Sequence, residues 1–334
     1  MPSKAEYVDT MHPYQVLAFY CFAPIEDPHA IVKAHKQWFK ERDVTARIYV
    51  SEEGINGQMS IVTADAREYI DWVRSFTPFS TMPVKVQGYK EQAFPRLTVK
   101  YRKQLAALDR PVDMNGVGEH LAPSEWREML EEKDHILIDV RNDYESKVGH
   151  FEGAELPNCN TFREFTTYAE ELRKRTVPDK KVMMYCTGGI RCELYSSLLT
   201  ELGFTSVYQL NGGVINYGAE ENGKHWKGKL FVFDDRLSVP VGEDNKEVIG
   251  KCHHCNEPNE TFYNCANVDC NELFLCCSEC LPKVEGCCQT ACQSAPRVRE
   301  YQEQQHKPFR RWNKVVDRKC DLWKQATAHN AAAK

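Results

Sequence analysis

The chain has 334 residues, too long for one small domain, and its 42% hydrophobic content is enough for real cores. A net charge of −5 gives no global nucleic-acid signature, so any basic surface must be local. The N-terminus, Met1-Pro2-Ser3-Lys4-Ala5-Glu6-Tyr7, lacks a basic stretch followed by an apolar one, and no run of about 18 apolar residues exists. Neither a signal peptide nor a membrane span is expected, and the predicted location is cytoplasmic.

Residues 1–100 read as α+β. Strands are predicted over residues 14–22, 46–50, 57–62 and 84–87, and helices over residues 27–41 and 64–76. The stretch from Glu52 to Gly57 reads as a turn between two of the strands, with a tight hairpin as its sufficient explanation. The order β-α-β-β-α-β is that of a ferredoxin-like sandwich. Residues 101–122 are a linker, part of a basic connection running from Phe94 to Asp113 that includes Lys100, Arg102 and Lys103.

Residues 123–217 form a second unit. A helix is predicted over residues 123–131 with Ser124 as its cap, then an apolar strand over residues 136–140. A helix over residues 162–174, a strand over residues 181–185 and a strand over residues 207–210 follow. Strands alternating with helices imply a parallel α/β sheet covered on both faces, with its ligand at the carboxyl ends of the strands. Residues 218–250 read as a connecting segment, 251–295 as a Cys-rich metal-binding segment and 296–334 as a basic C-terminal tail.

Cys186 falls at such a strand end. The stretch Cys186-Thr187-Gly188-Gly189-Ile190-Arg191 places a cysteine, a glycine-containing turn and an arginine at a helix start. Free N–H groups of Thr187, Gly188, Gly189 and Ile190, the helix dipole and Arg191 make a cradle for an anionic sulfur. The Cys186 thiol is therefore expected below the free value of about 8.5. The spacing C-x4-R is one residue shorter than the loop of cysteine phosphatases and suits sulfur better than phosphate. Asp139 and Arg141 are expected to support the sheet edge and loop. Cys192 either packs in the first helical turn or resolves an oxidised Cys186.

Ten of the fifteen cysteines lie between Cys252 and Cys292. Without a secretion signal, they read as reduced metal ligands rather than disulfides. Four close pairs stand out: Cys252 with Cys255, Cys265 with Cys270, Cys277 with Cys280, and Cys288 with Cys292. One arrangement joins the first pair to the third and the second to the fourth, with Cys276 and Cys287 as possible substitutes. Zinc in a structural role is expected, and iron–sulfur chemistry is also compatible. No dinucleotide fingerprint is present. The tail, with Arg297, Arg299, Lys307, Arg310, Arg311, Trp312, Lys314, Arg318 and Lys319, reads either as a solvated charge run or as an RNA-binding surface.

Three ordered motifs resemble the rhodanese family of sulfurtransferases. They are Ile138 to Glu145 with Gly149 to Ala154, Tyr185 to Arg191, and Val207 to Gly213. That resemblance implies a persulfide on Cys186 held by the loop N–H groups. The surroundings narrow it. Glu53-Gly54-Ile55-Asn56-Gly57, Cys186 to Glu193, Phe231 to Arg236, Cys252-His253-His254-Cys255 and Asn264 to Asn267 resemble the bacterial rhodanese-domain tRNA uridine hydroxylases, from about residue 12 to 295. This resemblance implies hydroxylation of carbon 5 of the wobble uridine with molecular oxygen as co-substrate. It also implies the tRNA anticodon loop as partner and a reductant whose identity the sequence does not give. Read alone, the loop residues favour sulfur transfer to a small acceptor or to tRNA.

Overall fold

A computed structural model describes residues 8–106, 108, 113–157, 159, 164–243 and 247–301. The chain divides into two units, residues 1–246 and residues 247–334.

The first unit opens with β1 (Tyr14–Phe22), α1 (Pro28–Trp38), β2 (Val44–Ser51), β3 (Gly54–Val62), α2 (Thr63–Arg74), β4 (Val84–Tyr89) and β5 (Leu97–Tyr101). Its sheet order is β4-β1-β3-β2-β5. The first four strands have the expected ferredoxin-like arrangement. Along β3, Ile55, Met59 and Ile61 are buried on one face, while Asn56 and Gln58 are half-buried on the other. The buried set packs with Ile31 and Val32 of α1 and with Tyr69, Ile70 and Val73 of α2.

Two expectations change here. The hairpin loop is only Glu52-Glu53, because Ser51 pairs with Gly54, and Asn56-Gly57 lies inside β3. Asn-Gly is a turn signal, but pairing with β1 and β2 on both sides overrides it. Gly57 is needed there for packing, since a Cβ would lie 2.3 Å from the Phe19 ring. The segment expected as a connection also carries β5, parallel to β2. Only Val99 of this edge strand is buried, so little alternation betrays it.

The same unit continues with β6 (Glu119–Leu121), α3 (Pro123–Glu132), β7 (Ile136–Asp139), α4 (Asp143–Ser146), β8 (Gly149–Phe151), α5 (Phe165–Arg175), β9 (Val182–Tyr185), α6 (Ile190–Glu201), β10 (Val207–Leu210) and α7 (Gly213–Glu221). A parallel sheet in the order β6-β10-β9-β7 forms its centre. One face packs Phe165, Leu172, Leu198 and Phe204; the other packs Trp126, Tyr217 and Trp226. β9 is buried throughout, as a central parallel strand should be. α3 is capped at Ala122 rather than Ser124, with the Ala122 N–H held by Glu125 Oε2 at 2.8 Å.

The stretch after α7 is more than a connection. β11 (Trp226–Gly228) pairs antiparallel with β8, and β12 (Leu230–Phe231) pairs with β13 (Ser238–Val239). Trp226, Leu230 and Val232 complete the second core.

The second unit contains the hairpin of β14 (Phe262–Asn264) and β15 (Leu273–Leu275). Its core is mostly cysteine, with Tyr263, Phe274 and Leu281. No helix among the described residues is long and apolar enough to cross a membrane.

Candidate active site

β9 delivers Cys186 to the carboxyl edge of the parallel sheet, and α6 begins four residues later. The sulfur has no exposed surface. Burial alone would push its thiol up. A hydrogen bond from Cys192, the Arg191 guanidinium and the N–H groups of Gly189 and Arg191 outweigh burial, and hold it well below the ordinary thiol value. The Gly189 N–H lies 3.1 Å from Sγ. Gly189 adopts φ +109°, a conformation open to glycine, and a Cβ there would sit 2.6 Å from the Tyr20 hydroxyl. Behind the loop, Val214 and Ile215 at the start of α7 donate to the Cys186 and Thr187 carbonyls at 3.0 and 3.2 Å.

The cradle residues divide their tasks. Gly189 and Arg191 address the sulfur through their N–H groups. The Thr187 hydroxyl instead donates to Glu145 Oε2 at 3.2 Å, and the Gly188 carbonyl accepts from Lys85 Nζ at 2.6 Å. Arg191 makes a fork with Glu145, Nη1 to Oε1 at 2.6 Å and Nη2 to Oε2 at 2.9 Å. Both side chains are buried. Glu145 was not singled out from the sequence, although one signal was available. Asn142-x-x-Glu145 is a capping pattern, and Glu145 Oε1 accepts the Asn142 N–H at 3.0 Å.

Asp139 and Arg141 form a separate buried pair, with Nε to Oδ1 at 2.8 Å and Nη2 to Oδ2 at 2.5 Å. Arg141 also donates to the Gly149 carbonyl, and its guanidinium lies 5.0 Å from the Trp226 ring centre. The pair joins β7, β8 and β11 behind the loop. Cys192 does more than pack. Burial and the adjacent Cys186 keep its thiol protonated, so that it donates to Cys186.

Above the cradle lies a cavity of about 280 Å³. Its floor is Cys186 with Thr187, Gly188 and Arg191, and its opposite wall is the helix-free face of the N-terminal sheet. Lys85 bonds Gly188 in the floor, and the Tyr20 hydroxyl bonds Glu193 Oε1 of α6 at 2.9 Å. Burial brings the Lys85 amine down to about 8, against the pull of Cys186 and Glu193.

In the second unit the cysteines gather into two groups. Cys252, Cys255, Cys277 and Cys280 have their sulfurs within 4.8 Å of one another, as do Cys265, Cys270, Cys288 and Cys292. These are the first-with-third and second-with-fourth groupings. Cys276 and Cys287 lie in the core outside both groups. The sulfurs lie 3.7 Å apart for Cys255–Cys277, 3.6 Å for Cys270–Cys288 and 4.0 Å for Cys288–Cys292. Zn–S bonds of about 2.3 Å in a tetrahedron put sulfurs about 3.8 Å apart, so both groups fit a single central ion. Backbone N–H groups of Cys277 and Cys288 point at Cys252 and Cys265, each at 3.4 Å. Although burial opposes it, N–H donors to Cys252 bring its thiol down to about 6.

The tail residues differ from the expected RNA surface where they are described. Arg297 pairs with Asp269, and buried Arg299 donates to the Ala266 and Cys265 carbonyls. Both side chains hold the cysteine-rich unit together. Lys307, Arg310, Arg311, Trp312, Lys314, Arg318 and Lys319 lie outside the described residues. Lys100, Arg102 and Lys103 are exposed.

Three family profiles match the chain: a UPF0176 acylphosphatase-like domain over residues 14–105, a rhodanese-like domain over residues 122–220, and a rhodanase C-terminal segment over residues 227–293. A tRNA uridine(34) hydroxylase of Protochlamydia amoebophila is 59% identical over 299 residues, covering 89% of this chain and 93% of that protein. The chain belongs to the tRNA uridine(34) hydroxylase family. Two further hydroxylases of that name are similar to it. That of Chlamydia muridarum is 53% identical, covering 89% of this chain and 92% of its own. That of Chlamydia trachomatis serovar D is 50% identical, covering 93% and 97%. The similarity to these hydroxylases thus spans most of the chain, beyond the rhodanese-like domain alone.

Proposed function

We infer that this protein hydroxylates carbon 5 of the wobble uridine of tRNA, with molecular oxygen as co-substrate and Cys186 as the reactive atom. The observation that carries this reading is the match, over most of the chain, to relatives named for that activity. It favours oxygen insertion over the sulfur transfer suggested by the loop alone.

The site's chemistry supports a nucleophilic sulfur. A buried thiolate with N–H and guanidinium support is poised to attack an electrophilic carbon or to carry a second sulfur. Addition of Cys186 to carbon 6 of uracil would make carbon 5 nucleophilic toward an oxygen donor. Arg191, held by Glu145, keeps the charge on sulfur before attack and after release. Inserting one atom of O2 into a C–H bond leaves the other to become water, which requires two electrons. A reductant is therefore a partner alongside tRNA. The uridine must leave its stack to reach Cys186, and the cytoplasm is the compartment in which the protein meets tRNA.

Each four-sulfur group is assigned one zinc ion. Four thiolates complete a tetrahedral shell and leave no open position, so zinc there would fix the fold of the second unit. The decisive experiment is mass analysis of nucleosides from tRNA of cells carrying wild-type or Cys186→Ser protein. The wild type should add oxygen to uridine and the variant should not. Wild-type levels of 5-hydroxyuridine with the variant would refute the role of Cys186. Replacement of oxygen by sulfur in the product would refute the hydroxylase reading.

A further inference from the structure

We propose that the side-chain amides of Asn56 and Gln58 read the imide edge of the target uracil. The proposal rests on the hydroxylase reading and assigns residues which that reading leaves unused.

Strand register sets the geometry. Tyr49 pairs with Asn56 and Asn56 with Tyr20, which makes one row across the helix-free face. Gln58 pairs with Ala18 and Ala18 with Lys85, which makes the next. All six residues line the cavity above Cys186. Its volume of about 280 Å³ leaves room for one pyrimidine base. The small side chain of Ala18 leaves a recess between Gln58 and Lys85.

The polar groups around this recess are largely committed. Tyr20 bonds Glu193, Lys85 bonds Gly188, Thr187 bonds Glu145, and Arg191 is forked to Glu145. Asn56 and Gln58 are half-buried, and among the described residues neither amide has a hydrogen-bond partner. The Tyr49 hydroxyl is likewise uncommitted. A carboxamide carries a donor and an acceptor side by side. The uracil edge presents an acceptor, a donor and an acceptor at O4, N3–H and O2. Two amides on one strand, two residues apart, can meet that pattern with neutral bonds, leaving carbons 5 and 6 free to face Cys186. Tyr20 and Tyr49 flank Asn56 with aromatic surface of the kind that supports an unstacked base.

The test uses the full-length protein and two anticodon stem-loops, one with uridine and one with N3-methyluridine at position 34. The methyl group removes the N3–H donor and leaves the phosphates unchanged. Binding is measured for wild type, Asn56→Ala and Gln58→Ala, with the Cys186 alkylation rate as a check on the cradle. Wild type should prefer uridine by roughly tenfold, the size expected for a hydrogen bond that leaves buried groups unpaired when lost. The preference should shrink toward unity in at least one variant that alkylates at the wild-type rate. If both alanine variants disturb alkylation, Asn56→Leu and Gln58→Met make the comparison with similar volume and the amide acceptor that would meet N3–H removed. Retained preference in the variants, or none in wild type, overturns the assignment. 5-Hydroxyuridine formation by wild type is measured in parallel in tRNA from cells carrying the protein, where the reductant is supplied. Its absence removes the hydroxylase reading, whereas its presence with retained preference removes the assignment alone.

Discussion

Glu145→Gln is the most informative change outside the sulfur itself. Glu145 Oε1 accepts from the Asn142 N–H and Arg191 Nη1, and Oε2 accepts from Arg191 Nη2 and the Thr187 hydroxyl. Wherever the glutamine NH2 is placed, it meets an Arg191 donor. The variant therefore loses the charge and one arm of the fork, in a pair whose side chains are 4% and 0% exposed. Removing one partner of a buried ion pair costs about 3–5 kcal/mol. In a unit of this size that corresponds to roughly 6–20 °C in Tm. A second effect runs the other way. Arg191 without its carboxylate presents an unneutralised charge to Cys186, so the thiol should ionise at lower pH. Calorimetry reads the first effect, and alkylation rate against pH reads the second. A variant that melts less than about 2 °C below wild type, with an unchanged alkylation profile, would refute the claim that Glu145 governs this cradle.

Cys186 also predicts a pH dependence of stability. Its folded thiol is held well below the free value of about 8.5, so between those two limits the unfolded chain binds a proton that the folded chain has lost. Stability should rise with pH across that window and lose this contribution as pH falls through the folded value; denaturant melts of Cys186→Ser should show a shallower rise. Lys85, brought down to about 8, should give wild-type activity an alkaline limb near that pH. Lys85→Arg should move the limb upward, and a limb unmoved in that variant would assign it to another group. Metal analysis of reduced protein should find two zinc ions per chain, one for each cysteine group. Cys255→Ser should lower the count to about one and reduce the Tm, since structural zinc contributes directly to folding.

The thiolate loop was legible because its parts are contiguous: an apolar strand, a cysteine, glycines and an arginine within eleven residues, 181–191. The ferredoxin-like order was legible because its helices and central strands keep distinct periods. Glu145 escaped because its partner lies 46 residues away, and local sequence says nothing of that meeting. Asn56 was hidden by chemistry that misleads locally, since Asn-Gly favours a turn until strands pair on both sides. β5 offered a single buried side chain and no period to detect. Arg299 read as part of a solvated or RNA-binding charge run because composition cannot show a guanidinium turned inward onto the carbonyls of a cysteine core.

The two faces of β3 carry separate obligations. Ile55, Met59 and Ile61 hold the sheet to its helices, while Asn56 and Gln58 contribute nothing to that core. Exchanging the outward pair should leave folding almost untouched, because the residues that decide folding point away. The reactive sulfur sits on a different domain again and need not change at all. Such a division makes the wall an adjustable part: a library confined to alternate positions of β2 and β3 could search for new bases while the fold and the nucleophile stay constant.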